Sequence, residues 1–384
     1  MPPYVQLGGN ALGLDRLTQA IERQVRRESE PPGSHLPELQ VTASTGDASD
    51  GDSRDRSRAR RVIARLLRRP AAGPFLGAVI VYVFFAIFAG NNSFVTVDGT
   101  ASWADQAAEL GIVAVPVGVL MIAGEFDLSI ASVIGLGGLT VSIATGHYGL
   151  PLLVSIAIAL ALSVMVGLIN GFVTTRTGVP SFIVTMATYF AIGGASLYAT
   201  RLITSTTTVG VTSSGWLHSV LAGSVHQFNV SVVWCVGIAL VAGHVLWRTV
   251  FGNWIFATGG DKATARAAGV PTNRVKVTLF VTSSAAAGLL GVIQALEYGG
   301  GQVGQGDNFI FDAVIAAVVG GVLLQGGYGS ALGIMLGVVT YSVVNTGIFY
   351  TGWDPDLAQL IIGVLVLIAV LANNRLRQRV LSSG

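Results

Sequence analysis

Two carboxylates, Glu125 and Asp127, stand within residues 124–132, where the other polar side chains are only Ser129 and Ser132. An ionised acid near a membrane interior costs roughly 2.5–3.5 kcal/mol on insertion scales, so it faces protein or water and often has a role. Asp127 followed by Ser129 is equally a good helix start, because a carboxylate satisfies free backbone N–H groups and complements the N-terminal dipole. Helix capping and a place on a solute path therefore both stand for Asp127. A related pattern begins at Asp312, an acid that again leads into small and branched residues and then Gly320 and Gly321. By polarity alone, Asn170, Thr185, Thr188, Glu297, Asp307 and Asn345 join Glu125, Asp127, Ser129 and Asp312 as candidates for a path. No more than a third of the first six are expected to line it.

A second site lies in the longest interior connection, residues 249–275. Asp261 reads as an N-cap, residues 263–268 are good helix formers, and Gly269 with Pro271 stops the helix. A short Ala-rich helix with small faces can lie in a groove on a soluble partner, or it can be a solvated connector. Catalytic motifs are missing: the chain has no Gly-x-x-x-x-Gly-Lys-[Ser/Thr] phosphate loop, no His-Glu-x-x-His and no Gly-x-Ser-x-Gly. One cysteine, Cys235, and five scattered histidines give neither an intrachain disulfide nor a recognisable metal site. The reading is of a chain with no catalytic residues, no metal and no cofactor of its own.

The elements that must position these groups follow from composition. Of 384 residues, 11% are charged and 52% hydrophobic, with 50 glycines. Soluble domains carry roughly 25% charge, so this surface is made for lipid. After Pro70, ten apolar stretches can each cross a core of ~30 Å at about 20 residues per crossing: 73–90, 106–123, 129–146, 150–172, 181–200, 229–248, 275–296, 309–324, 329–348 and 357–373. The eighth is short enough to be broken or re-entrant, and the second begins with Glu109 near its start. The expected fold is all-α and polytopic.

Orientation comes from charge. Eight arginines between positions 54 and 69 precede the first span, and with that segment cytoplasmic, 21 of the 22 Lys and Arg residues fall on one face, Arg201 being the exception. Both termini are then cytoplasmic. The model of ten spans divides the chain into a polar tail (1–58), a basic juxtamembrane segment (59–72), a membrane domain (73–373) containing the connection 249–275, and a basic C-terminal tail (374–384). The tail lacks the apolar core of a cleavable signal peptide. Within it Leu14, Leu17, Ile21 and Val25 recur at helical spacing, so 11–28 could form one amphipathic helix. Charge here reports membrane topology and not nucleic-acid binding. Asp127 lies toward the cytoplasm and Asp312 toward the outside, as two copies of an inverted repeat would. Glycines at 135, 137, 138, 320, 321, 326, 327 and 329 are mainly for close helix packing.

Taken in order, residues 124–132, the stretch Pro180, Ser181, Phe182, Ile183, Val184, Thr185, Met186, Ala187, Thr188, the Gly259, Gly260, Asp261 loop with Arg266 and Gly269, and residues 312–329 resemble the permease subunits of bacterial ABC sugar importers of the ribose and xylose type. The resemblance runs from about 75 to 375. It implies inverted repeats of five helices and a dimer of ten-span subunits, with a second copy or a paralogue, in the bacterial inner membrane. It also implies an extracytoplasmic sugar-binding protein, and cytoplasmic ATPase subunits that hold ATP and Mg²⁺. The helix over 261–269, with Gly259, Gly260, Asp261, Ala265, Arg266 and Gly269, would be the coupling helix that enters a cleft on the ATPase. The function implied is import of a monosaccharide or polyol by alternating access. Two features depart from the pattern: the family commonly has Gly and Ile where this chain has Glu125 and Phe126, and the N-terminal tail is unusually long.

Two other classes compete. An ion-coupled secondary carrier also favours inverted repeats and buried acids, but it must cycle an ion site, and the spans show no persuasive Asp, Glu or His relay. A structural membrane subunit with no solute path is the third.

Overall fold

In the computed structural model the described residues are 72–89 and 93–382, with side chains described as far as 371. The polar tail, its helix over 11–28, the arginines of 54–69 and the side chains of Arg375, Arg377 and Arg379 lie outside the described residues. Among the described residues are thirteen α-helices. Seven are long and apolar enough to cross a membrane by length and composition: α2 (Val97–Ile122), α3 with the π-turn that prolongs it (Ile130–His147), α4 (Leu152–Thr177), α5 (Ser181–Thr204), α7 (Ser231–Arg248), α10 (Thr272–Glu297) and α12 (Ala331–Thr351). Three shorter apolar helices, α1 (Ala72–Phe88), α11 (Phe309–Val319) and the apolar part of α13 (Leu357–Leu371), bring the set to the expected ten. Three small helices lie between them: α6 (Trp216–Ala222), α8 (Val250–Gly260) and α9 (Lys262–Ala267). Strand structure is confined to two ladders, β1 (Thr208–Gly210) with β4 (Gly300–Gln302) and the hairpin of β2 (Ser224–Val225) and β3 (Phe228–Asn229).

Local chemistry moves three of the expected limits. Helix α2 starts at Val97 and not near 106, because Thr96 caps it by accepting the Gly99 N–H and Asp98 sits in its first turn. Glu109 is therefore about three turns inside the helix and not at its start. The eighth span stops at Val319 after 11 residues, about 16 Å at 1.5 Å per residue, so it is half a crossing followed by the irregular segment 320–330. Finally, the connection 249–275 holds two helices where one was expected, since Thr249 accepts the Gly252 N–H and starts α8 ahead of α9.

Helices α2 and α10, 26 residues each, are the most enclosed of the long helices. Four spanning helices, α3, α4, α5 and α7, lie between them in the chain, so they run antiparallel, and their neighbours repeat. Helix α10 packs on α3 and α4 as α2 packs on α11 and α12, and the pairs α3–α4, α3–α5 and α4–α5 recur as α11–α12, α11–α13 and α12–α13. The inverted repeat thus holds for four helices of each five. The first of each set departs from it, α1 lying on α12 and α7 on α2. In lipid no hydrophobic driving force joins apolar helices, so close backbone approach must. A Cβ on Gly137 would stand 2.6 Å from the Gly288 carbonyl oxygen, and one on Gly320 2.4 Å from that of Gly333. The α3–α10 and α11–α12 contacts need glycine.

Candidate functional site

The end of α10 at Thr272, next to α9, and the end at Glu297, about 39 Å away at 1.5 Å per residue, define the two ends of the molecule. Near the first end, α2 finishes at Ile122 and the chain turns through Gly124, whose φ of +81° suits glycine. The turn is gripped on two sides. Gly327 N–H donates to the Ile122 carbonyl at 2.8 Å, and Gly259, at the end of α8, packs against the same carbonyl. Three chain segments, 122–124, 259–260 and 326–327, meet there backbone to backbone.

That turn presents Asp127 to a buried network. Its Oδ1 accepts the Ser129 hydroxyl at 2.6 Å and the Ser129 N–H at 3.1 Å, and its Oδ2 accepts the Ser283 hydroxyl of α10 at 2.9 Å. Asn170 donates to Ser129 Oγ at 2.8 Å and accepts from Thr188 at 2.7 Å. Thr185 accepts the Leu128 N–H, and Ser181 accepts the Phe126 N–H. Asp127, Ser129, Asn170 and Thr185 are wholly enclosed and Thr188 is half-buried, so five path candidates form one polar chain fastening the turn to α4, α5 and α10. Capping is realised differently from the expectation: Ser129 occupies the N-cap of α3 without a side-chain cap bond, and the one backbone N–H that Asp127 accepts is that residue's own.

Glu125, from the same turn, forms a buried ion pair with Lys276 of α10, 151 residues away. One turn earlier on α10, Arg266 reaches back from α9 to donate to Thr272 Oγ1 at 2.8 Å and to Asn273. Asp261 caps α9, accepting from Ala263 N–H at 2.8 Å and Thr264 N–H at 3.1 Å, with the Thr264 hydroxyl on its other oxygen at 2.9 Å. The bonds from Thr264 and then Ala263 hold its carboxyl below the usual range. Lys262 is pushed below the ordinary lysine value by partial burial and then by the like charges of Lys276 and Arg266, with Glu125 acting the other way. Ala265 is buried, and Gly269 ends the helix at φ +85°. The six residues grouped in this loop therefore divide. Gly259 is wedged into the three-segment contact, Gly260 is exposed, and the other four belong to α9 and its cap.

At the far end a cavity of about 500 Å³ is lined by Asp105, Glu109, Glu297, Asp312, Tyr341 and Asn345 among others. Asn229 binds both Asp105, through its N–H at 2.9 Å, and Glu297, through its side chain. Glu109 accepts from Gln294 at 2.6 Å and from Tyr298. Three candidates, Glu297, Asp312 and Asn345, are thus brought together. Four carboxylates, Asp105, Glu109, Glu297 and Asp312, converge on this cavity from α2, α10 and α11. The remaining candidate, Asp307, is exposed and accepts from Tyr189 at 3.1 Å beside a separate cavity of about 230 Å³ between α3 and α5.

The family described as branched-chain amino acid transport system / permease component matches residues 99–370. The chain belongs to this family. It is a multi-pass membrane protein built on a transport-system permease plan. Among curated relatives it is similar to the xylose/arabinose import permease protein of Sulfolobus acidocaldarius, 32% identical over 79% of this chain and 86% of that one. It is also similar to the ribose import permease protein of Escherichia coli K12 (28%; 74% and 88%) and to the fructose import permease protein of Rhizobium meliloti (26%; 90% and 97%). No solved structure matches the chain.

Several site residues of this permease escape sequence reasoning. Asp105 and Glu109 carry the available signal, an i, i+4 spacing that places both on one helix face. Lys276 has none. In the sequence it is one cation of a basic cluster, and only the fold brings Glu125 to it.

Proposed function

We propose that this chain is the membrane-embedded permease subunit of an ATP-driven importer that moves a monosaccharide or related polyol into the cytoplasm by alternating access. The observation that carries the reading is a family match across the membrane domain together with the short capped helix α9, which projects next to α10 and is bolted to it by Arg266. A partner ATPase, holding ATP and Mg²⁺, would close on α9, and α10 would convey the displacement to the transmembrane bundle. A ligand moves such an equilibrium only through unequal affinity for its two states, which nucleotide binding by the partner supplies. An extracytoplasmic sugar-binding protein delivers solute at the far end, and a second permease copy or a paralogue covers α5, whose apolar surface is almost entirely uncovered. The cavity by Tyr189 and Asp307, with hydroxyls and one carboxylate near the aromatic Phe190, suits a weakly held polyhydroxylated solute.

Uptake into proteoliposomes tests this, with D-ribose, D-xylose, D-fructose and L-leucine as probes, the last because of the family's description. The expected result is uptake of a sugar that requires both ATP and an ATPase subunit. Uptake of leucine alone, or uptake driven by an ion gradient alone with the four far-end carboxylates as its site, overturns the reading. In the same assay Arg266→Ala, or Ala265→Pro, which removes the 2.9 Å bond from the residue 265 N–H to the Asp261 carbonyl, is expected to lower uptake at least tenfold. Membrane insertion and ATP hydrolysis should persist.

Both termini are proposed to be cytoplasmic. Reporter fusions after Gly223 and after Asn273 are expected on opposite sides, outside and inside respectively, and a shared side would refute ten crossings.

A further inference from the structure

Glu125 and Lys276 are 8% and 5% exposed, and nothing in the local folding of either segment calls for them. The α10 helix begins at Thr272 without a charged cap, and the turn at 124–129 is already held by Gly327, Ser181 and Thr185. A buried ion pair is a weak source of stability, because desolvation offsets most of the attraction. What the pair does provide is a directed connection. Starting at α9, Arg266 binds Thr272 and Asn273; next along α10, Lys276 binds Glu125; a further two turns on, Ser283 binds Asp127. Residues 273, 276 and 283 fall on one face of α10 by the 3.6-residue repeat, so α9 and the Asp127 turn are attached to the same side of one helix. Lys262, on α9 itself, adds a second cation whose charge is felt by the same group of residues.

We propose that Glu125 and Lys276 are positioning residues for coupling: their ion pair transmits displacement of α9 to the turn that carries Asp127, and through Asn170 and Thr185 to α4 and α5. This role rests on the proposed ATP-driven function. Removing one charge would strand the other in a dry site, so a single variant confuses misfolding with uncoupling. The double variant E125M/K276M keeps the volume, leaves no unpaired charge and removes the directed link.

The test uses the full chain with its ATPase partner in proteoliposomes, with whichever of D-ribose, D-xylose or D-fructose the unaltered complex takes up. E125M/K276M is expected to purify as a monodisperse complex and to hydrolyse ATP within twofold of the unaltered rate, with sugar moved per ATP at least tenfold lower. The swapped pair E125K/K276E is expected to recover at least half of that ratio. A ratio equal to the unaltered complex in the Met pair overturns the proposal. So does a parallel fall of hydrolysis and uptake that the swap does not repair, which would make the pair a packing feature alone. If the unaltered complex itself shows no ATP-driven uptake, the proposed function fails, and the coupling role with it.

Discussion

Gly259→Ala is expected to prevent recovery of a stably folded chain, while Gly260→Ala, one residue on, is expected to be silent. A Cβ at 259 would stand 1.9 Å from the Ile122 carbonyl oxygen and 2.7 Å from the Gly327 nitrogen. Both neighbours are backbone and cannot turn aside. The same oxygen accepts the Gly327 N–H at 2.8 Å, so relief of the clash also breaks a bond that pins the 320–330 segment to α2. Overpacking plus a stranded backbone group places the cost at about 3 kcal/mol or more, a large share of the ~5–15 kcal/mol that stabilises a domain. At Gly260 an added Cβ meets nothing within 4 Å. Thermal unfolding of both variants in detergent, followed by size-exclusion profile, checks the pair. A stable, monodisperse Gly259→Ala would show that the three-segment contact yields easily.

Asp127→Leu is expected to lose at least tenfold in folded yield or uptake, and Asp127→Asn to stay within about twofold. Leucine strands the Ser129 hydroxyl and N–H and the Ser283 hydroxyl in an enclosed site, at about 1–3 kcal/mol for each unsatisfied group. Asparagine keeps one carbonyl oxygen for Ser129 and can donate its amide to Ser283 Oγ, since a hydroxyl also accepts. Folded yield and sugar uptake, measured side by side, discriminate the two roles open to this residue. If Asp127→Asn folds normally and still abolishes uptake, the charge itself acts on the solute path and the network is more than a fastening.

These expectations draw on parts of the protein that were unequally visible beforehand. Apolar run length located the ten apolar helices, because ~30 Å of hydrocarbon asks for about 20 residues per crossing. The cap at Asp261 and the stop at Gly269 follow from local side-chain chemistry, and α9 forms between them. The early start of α2 is equally local, but the Thr96 cap lies outside its apolar stretch, and hydropathy alone places the start too late. The second helix in 249–275 escapes for the same reason, its cap at Thr249 being hidden at the end of an apolar run.

Sequence by itself determined what is governed by neighbours along the chain: a helical, lipid-embedded body, the broken eighth span, and the lack of a phosphate loop. Only the tertiary structure decided which polar groups meet. Glu125 finds Lys276 across 151 positions, Asp127 finds Ser283 across 156, and Glu109 finds Gln294 across 185. A polar side chain buried among lipid-facing helices must take whatever partner the packing of those helices brings within about 3 Å. That packing is set by glycine contacts between backbones far apart in the chain, so its outcome is carried by no single segment.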